Sequence, residues 1–359
     1  MNTLSVRSLL EEMIERGASD LHLTAGDRPK LRVDGDLANA SVDHVLMPKD
    51  TLQLTYSILT ESQKKRFEQD DELDFSFGIQ NLARFRGNAY RQRGCVALAI
   101  RLIPFNIRSF EELGLPPILR KLSERPRGLV LVTGPTGSGK STTLAAMVDH
   151  INKTRKGHII TIEEPIEFIH RHQGCMINQR EVGSDTQSFA NALKYCLRQD
   201  PDVILIGEMR DLETISMTLT AAETGHLCLA TLHTNSAAES INRIIDVFPS
   251  HQQAQVRAQL SFVLEGVITQ TLLPKAKGKG RVAACEVLVA TMAIRSVIRE
   301  AKIAQIYGLM QAGKKHGMQT LNDAFYTLHL NGQVKLEDCL KRSSDPNELL
   351  RMAGEPVPA

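Results

Sequence analysis

The run Gly134-Pro135-Thr136-Gly137-Ser138-Gly139-Lys140-Ser141 sets three glycines, a lysine and a terminal hydroxyl in eight residues. The chemistry these types offer is the cradling of a polyphosphate. Gly134, Gly137 and Gly139 let the backbone curl so that several N–H groups face one anion. A helix starting near Gly139 adds its positive N-terminal end. Lys140 supplies a point charge for β- and γ-phosphates, and the Ser141 hydroxyl is suited to Mg²⁺. The apolar run Gly128–Thr133 precedes the motif and Thr142-Thr143-Leu144-Ala145 follows it. That strand–turn–helix frame separates a P-loop from a chance glycine-rich loop with a solvated lysine. Gly134 to Thr142 are the expected phosphate-binding residues, with ATP as the ligand.

Hydrolysis needs groups that neutralise charge and orient or deprotonate a water. Three segments offer them. Ile160-Thr161-Ile162-Glu163-Glu164-Pro165 is an apolar strand ending in acids. In open α/β sheets ligands sit at the carboxyl ends of strands, so Glu163 and Glu164 could reach the γ-phosphate region. An exposed acidic turn explains the same residues equally well. Val203-Ile204-Leu205-Ile206-Gly207-Glu208 is an all-apolar strand ending in an acid, a Walker-B-like arrangement. Glu208 is the expected Mg²⁺-holding carboxylate together with Ser141, while Asp211 is accounted for by helix capping alone. His226 and His233 bracket the apolar stretch Leu227–Leu232. They are either polar strand caps or groups that sense the γ-phosphate or a subunit contact. Arg84 and Arg86 alternate onto one strand face, and Arg101 lies opposite the stripe Val96, Leu98, Ile100 and Leu102. Solubility explains these arginines, as does an arginine finger offered to a neighbouring subunit's nucleotide.

The elements that must hold these groups read as two domains. Up to about residue 107, helix signals (Ser5–Arg16, Lys49–Leu59, Glu61–Gln69) mix with strand signals at Asp20–Thr24, Leu31–Val33, Leu73–Phe77, Arg84–Tyr90 and Val96–Ile103. Asp34-Gly35 is a hairpin turn signal. The expected linker spans 108–117 and contains a capping box, Ser109 with Glu112. From 118 to 359 strands and helices alternate, which implies a mostly parallel sheet covered by helices. A short strand is expected near Cys175–Asn178, a helix from about Thr186 to Arg198, and a mainly helical region after about Val247. The basic stretch Lys275–Arg281 reads as a solvated loop.

Composition narrows the class further. The 359 residues are 42% hydrophobic and 23% charged, ordinary for a globular protein. A net charge of +2 gives no general pull toward nucleic acid or anionic membrane. No apolar stretch is long enough to span a bilayer, and the first residues carry no signal-peptide core. The six cysteines are scattered without a CxxC pair, against a zinc or disulfide framework. The expected location is the cytoplasm.

Taken together, the motifs resemble the type IV pilus retraction ATPases, the PilT and PilU group, within the type II/type IV secretion ATPase superfamily. The resemblance runs from Gly17-Ala18-Ser19-Asp20-Leu21-His22-Leu23 to the C-terminal helices. It is most specific at Arg127–Ser141, Gly207-Glu208-Met209-Arg210-Asp211-Leu212-Glu213-Thr214 and Ala221-Ala222-Glu223-Thr224-Gly225-His226. It implies an α/β fold with a PAS-like N-terminal domain and a RecA-like ATPase domain. It implies that Glu163 leads an "Asp box" as catalytic base, that Glu208 belongs to Walker B and that His226 and His233 belong to a "His box". N-terminal arginines then reach across a hexamer interface. Glu164 stands where the family usually has Asp. Ala293-Ile294-Arg295-Ser296-Val297-Ile298-Arg299-Glu300 resembles the family's AIRNLIRE retraction signature, with Ser296 and Val297 replacing Asn and Leu. Gly157–Ile160 and Asp345–Leu350 look more PilU-like.

The implied activity is ATP hydrolysis in a homohexamer that pulls pilin subunits back into the inner membrane through a PilC-like platform protein. Paralogous retraction and extension ATPases are further implied partners. The competing expectations are an accessory retraction motor, an extension or secretion motor, and a weakly hydrolysing regulatory nucleotide-binding protein. An extension motor would carry a long N-terminal extension and a four-cysteine zinc insert, neither seen here. A DNA translocase is disfavoured by the near-neutral charge and the lack of a basic arm.

Overall fold

The computed structural model describes residues 4–33, 35–80, 82–103 and 106–357. The chain divides into two compact units, Met1–Asn106 and Ile107–Ala359. The first holds a six-stranded antiparallel sheet built from β1 (Asp20–Leu23), β2 (Lys30–Val33), β3 (Asp36–Asn39), β4 (Glu72–Ile79), β5 (Ala83–Gln92) and β6 (Cys95–Ile103), in the order β3-β2-β1-β6-β5-β4. Alternation does the work here. β5 buries Ala83, Phe85 and Ala89 and turns Arg84, Arg86 and Asn88 outward, as period two requires. The helices Val6–Glu15, Pro48–Tyr56 and Glu61–Asp70 complete the unit; Leu9, Leu10, Met13 and Phe67 join the sheet's inner side chains in one core. The Asp34-Gly35 turn falls between β2 and β3, but Asp34 lies outside the described residues, as does Pro104.

The second unit is organised by β7 (Gly128–Thr133), β8 (His158–Glu163), β9 (Met176–Glu181), β10 (Val203–Ile206), β11 (Leu227–Leu232), β12 (Leu264–Pro274) and β13 (Arg281–Val289). Their order is β13-β12-β7-β11-β10-β8-β9, and every pairing is parallel except β12 with β13. β7, β10 and β11 are buried along their whole length, which is why they read as unbroken apolar runs. The fold is α/β with mixed sheets. The short strand expected near Cys175–Asn178 extends to Glu181, and the expected Thr186–Arg198 helix narrows to Phe189–Cys196, capped by Ser188. The stretch 108–117, expected as a linker, carries the helix Phe110–Leu113, with its Ser109/Glu112 capping box. Phe110 and Leu115 join the second unit's core.

The region after Val247 departs from the mainly helical expectation. The helix Ser250–Val263 runs straight into β12 at Leu264, with no intervening turn; the first glycine, Gly266, is already the strand's third residue. β12 is so fully covered that its alternation is lost, and a buried strand of this kind cannot be told from a buried helix by periodicity. β12 and β13 therefore extend the central sheet past the P-loop strand. Phe325, Cys339 and Leu349 from the C-terminal helices, with Val334 from the connection between two of them, pack with Leu273 and Ala284 in a satellite core.

Candidate active site

β7 delivers the chain to Gly134, and the helix Lys140–Thr154 carries it away. Gly134 has φ +138°, and a Cβ there would stand 2.3 Å from the Gln270 carbonyl oxygen. Gly139, at φ +91°, caps the helix start in the left-handed region. Only glycine meets both demands cheaply. Lys140 is 9% exposed; its Nζ donates to the carbonyls of Gly134 (2.8 Å) and Pro135 (3.2 Å). Burial lowers its pKa, while the carboxylates of Glu208 and Glu167 favour its charge. The Ser138 Oγ is buried without a hydrogen-bond partner among the described residues. An orphaned hydroxyl, a cationic amine and a glycine cradle at a helix N-terminus fit a phosphate group. Thr136, Gly137, Gly139, Lys140, Ser141 and Thr142 line a cavity of about 1270 Å³.

Three strand ends converge on the same cavity. Glu163, the last residue of β8, lines it with its Oε1 accepting from Thr161 Oγ1 (2.6 Å) and Gln179 Nε2 (3.3 Å). Burial pushes its carboxyl up to about 7, against the pull of these hydrogen bonds. Glu208, just past β10, is different. Burial opposes its charge, but Arg210 Nη2 at 2.8 Å and His233 Nε2 at 3.3 Å outweigh it and hold the carboxyl below its ordinary range. Arg210 also reaches Glu164 at 3.5 Å, linking the acids of two adjacent strands. The cavity thus holds one carboxyl poised near neutrality and one kept ionised, the division of labour acid–base catalysis and cation binding require.

The two histidines are separated. His233 follows the end of β11 and lines the cavity. His226 precedes the same strand, and its carbonyl accepts from the N–H of Gly128 at the opposite end of β7. Its Nδ1 sits 2.9 Å from the Ala221 carbonyl oxygen and 3.3 Å from Thr224 Oγ1. A six-residue strand, roughly 20 Å long, therefore keeps His226 from this chain's own P-loop. The arginines, by contrast, come together. Arg101 on β6 pairs directly with Arg86 on β5, and Arg84 shares their face. Arg101 Nε lies 2.8 Å from Asp20 yet remains 69% exposed, and Arg86 is 3.7 Å from Asp74.

Sequence reasoning did not single out Arg210, Thr161, Gln179 or Gln270. Arg210 sits two residues past Glu208 within a quoted motif, so its signal was present. Gln270, whose Nε2 donates to the Ser138 carbonyl at 2.6 Å, lies on the strand the helical reading concealed. Lys275, Lys277 and Arg281, read as a solvated loop, are exposed and also line the cavity. In the retraction-like signature, Arg295 is turned to the fold: it donates to the carbonyls of Ala290, Ser261 and Phe262 and pairs with Glu265 at 2.7 Å. Arg299 is exposed and makes no hydrogen bond or ion pair among the described residues.

Comparison with known proteins places this geometry. Residues 2–341 match the family model described as Type II/IV secretion system protein. The chain is 50% identical to the type IV pilus retraction ATPase PilT of Pseudomonas aeruginosa over 96% of its length and 99% of that protein's. It is 44% identical to the pilus ATPase PilU of the same organism, over 97% of this chain and 91% of that one. The crystal structure of the pilus retraction motor PilT with bound ADP superposes with a TM-score of 0.92 at 51% identity, covering 97% of this chain and 100% of that one. A P-loop facing acid-ended strands, and this near full-length likeness, lead to one conclusion: the chain belongs to the Type II/IV secretion system protein family.

Proposed function

We propose that this protein is an ATP-hydrolysing motor subunit that powers type IV pilus retraction. The observation that carries the reading is the convergence of Lys140, Glu163, Glu208 and His233 on one cavity, in a chain 50% identical to a retraction ATPase over nearly its whole length. Residues Gly134 to Thr142 hold the triphosphate, and Ser141 and Glu208 hold Mg²⁺. The metal, when bound, neutralises charge on the phosphates. Glu163 takes the proton of the attacking water, for which a carboxyl near neutrality is suited. Arg210 keeps Glu164 and Glu208 from repelling each other as the anionic substrate arrives. His233, hydrogen-bonded to Glu208, reports the state of the γ-phosphate side.

The same reading assigns a PAS-like role to the N-terminal unit and a RecA-like one to the second, in a homohexamer working in the cytoplasm at the inner membrane on a PilC-like platform protein. Arg84, Arg86 and Arg101 share one cationic face, exposed at Arg101 and half-buried at Arg84 and Arg86, suited to a neighbouring subunit's nucleotide. His226 then serves subunit contact rather than its own chain's phosphates. No helix among the described residues is long and apolar enough to cross a membrane. The likeness to PilU favours one second reading, an accessory retraction motor beside a paralogue. Deleting the protein from its host tests the proposal. Cells should keep surface pili yet lose retraction and twitching; cells that retract at the normal rate, or lose their pili, would overturn it.

A further inference from the structure

Glu163 does not stand alone at the end of β8. Thr161 lies two residues earlier on the same face of that strand, and Gln179 is its direct partner across the β8–β9 pair. Both side chains aim at one oxygen, Glu163 Oε1, at 2.6 and 3.3 Å. Thr161 is fully buried in a strand where Ile159, Ile160 and Ile162 are all apolar. Packing alone would be served by valine, so its hydroxyl has the carboxyl as its purpose. The Gln179 amide is held in one orientation. Its Oε1 accepts the His170 backbone N–H at 2.8 Å, so its Nε2 must face the Phe168 carbonyl oxygen, at 2.8 Å, and Glu163. Gln179 therefore fastens the loop 164–170 to β9 and the carboxyl to that loop.

We propose that Thr161 and Gln179 are positioning residues for Glu163, fixing the plane of its carboxyl and stabilising its ionised form. The proposal rests on the reading of Glu163 as the general base. Without these two donors the carboxyl would keep only the Glu167 backbone N–H, its soft terminal torsion would be less restrained, and burial would favour the protonated form. The surrounding charges do not substitute for them. Glu167 on the same loop acts both ways: its backbone N–H bonds the carboxyl and favours the ionised form, while its own charge raises the pKa. Glu164 is paired with Arg210, and Glu208 with Arg210 and His233. Glu181 on β9 accepts from the Ile166 backbone N–H, and Lys140 is turned onto the P-loop carbonyls.

The test is steady-state phosphate release by the full-length protein across pH 6 to 9, with Thr161→Val, Thr161→Ser, Gln179→Leu and Glu163→Gln. Valine matches threonine in shape and favours strands, so Thr161→Val should fold. Its kcat at pH 7 should fall roughly ten-fold, with KM for ATP within about two-fold. Its acid limb should move to higher pH by about one unit, because a lost donor to the charged form raises a carboxyl pKa. Thr161→Ser should restore both. Gln179→Leu should lose turnover in the same sense, an independent reading should Thr161→Val misfold. In the Glu163→Gln background, Thr161→Val should add no further loss. Wild-type kcat and pH limb in Thr161→Val and Gln179→Leu, or equal damage in Thr161→Ser and Thr161→Val, would overturn the proposal while leaving Glu163 as base. Undiminished turnover by Glu163→Gln would instead overturn the base assignment beneath it.

Discussion

Arg295→Ala separates the two arginines of the retraction-like signature. Ser261 and Phe262 belong to the last turn of the helix Ser250–Val263, whose carbonyls have no intrahelical partner. Arg295 Nη1 satisfies both, at 2.9 and 2.6 Å, while its Nε bonds Ala290 at 3.1 Å. Nη2 holds Glu265, on the second residue of β12, at 2.7 Å. The side chain is only 21% exposed, so water replaces these bonds incompletely. Glu265 keeps Arg125 at 3.0 Å and is not left as a lone buried charge. Three carbonyl bonds at about 1 kcal/mol each, plus a softened ion pair, give a loss of roughly 2–4 kcal/mol. Arg299→Ala should stay within about 0.5 kcal/mol. Urea unfolding followed by circular dichroism, at matched protein and nucleotide concentrations, reads the difference. Equal effects of the two substitutions, or a neutral Arg295→Ala, would refute the capping argument. The structure thus splits the signature. Arg295 anchors the helix Met292–Arg299 to β12, while Arg299 stays exposed to solvent.

Further expectations follow from the same geometry. Gly134→Ala places a methyl 2.3 Å from the Gln270 carbonyl at φ +138°, so the protein should lose nucleotide binding by calorimetry; ADP affinity equal to wild type would count against the tight cradle. His170 lines the cavity with Nδ1 unpartnered among the described residues, and burial depresses its pKa from 6.5 to about 4. A depressed histidine contributes stability above pH 6.5 that is lost as pH falls toward 4, by up to roughly 3 kcal/mol. His170→Gln should flatten that acid-side decline in unfolding midpoint, and an unchanged slope would show that His170 stays solvated. Arg101→Ala should lose turnover, and mixing it with Lys140→Ala subunits should partly restore it; no restoration in mixed assemblies would exclude action in trans.

Much of the site was legible because its signals are local. Glycines at Gly134, Gly137 and Gly139, an apolar run ending in Glu208 and another ending in Glu163 are each written within eight residues. The carboxyl ends of parallel strands bring them together by rule. What stayed hidden depends on register or on long-range pairing. His226 and His233 look equivalent in sequence because both flank one strand, yet strand direction sends only one to the cavity. Arg86 and Arg101 become neighbours only through the antiparallel β5–β6 register. β12 was concealed because both faces are covered and no turn separates it from the preceding helix, and with it went Gln270 and the placement of the basic hairpin end beside the phosphate site.

The central claim is that this cavity hydrolyses ATP with Lys140 holding phosphate and Glu208 holding the metal. Steady-state phosphate release by the purified full-length protein with Mg·ATP, alongside Lys140→Ala and Glu208→Ala, tests it most directly. The account predicts sustained turnover by the wild type and none above background by either variant. Turnover at the wild-type rate in either substituted protein would contradict it.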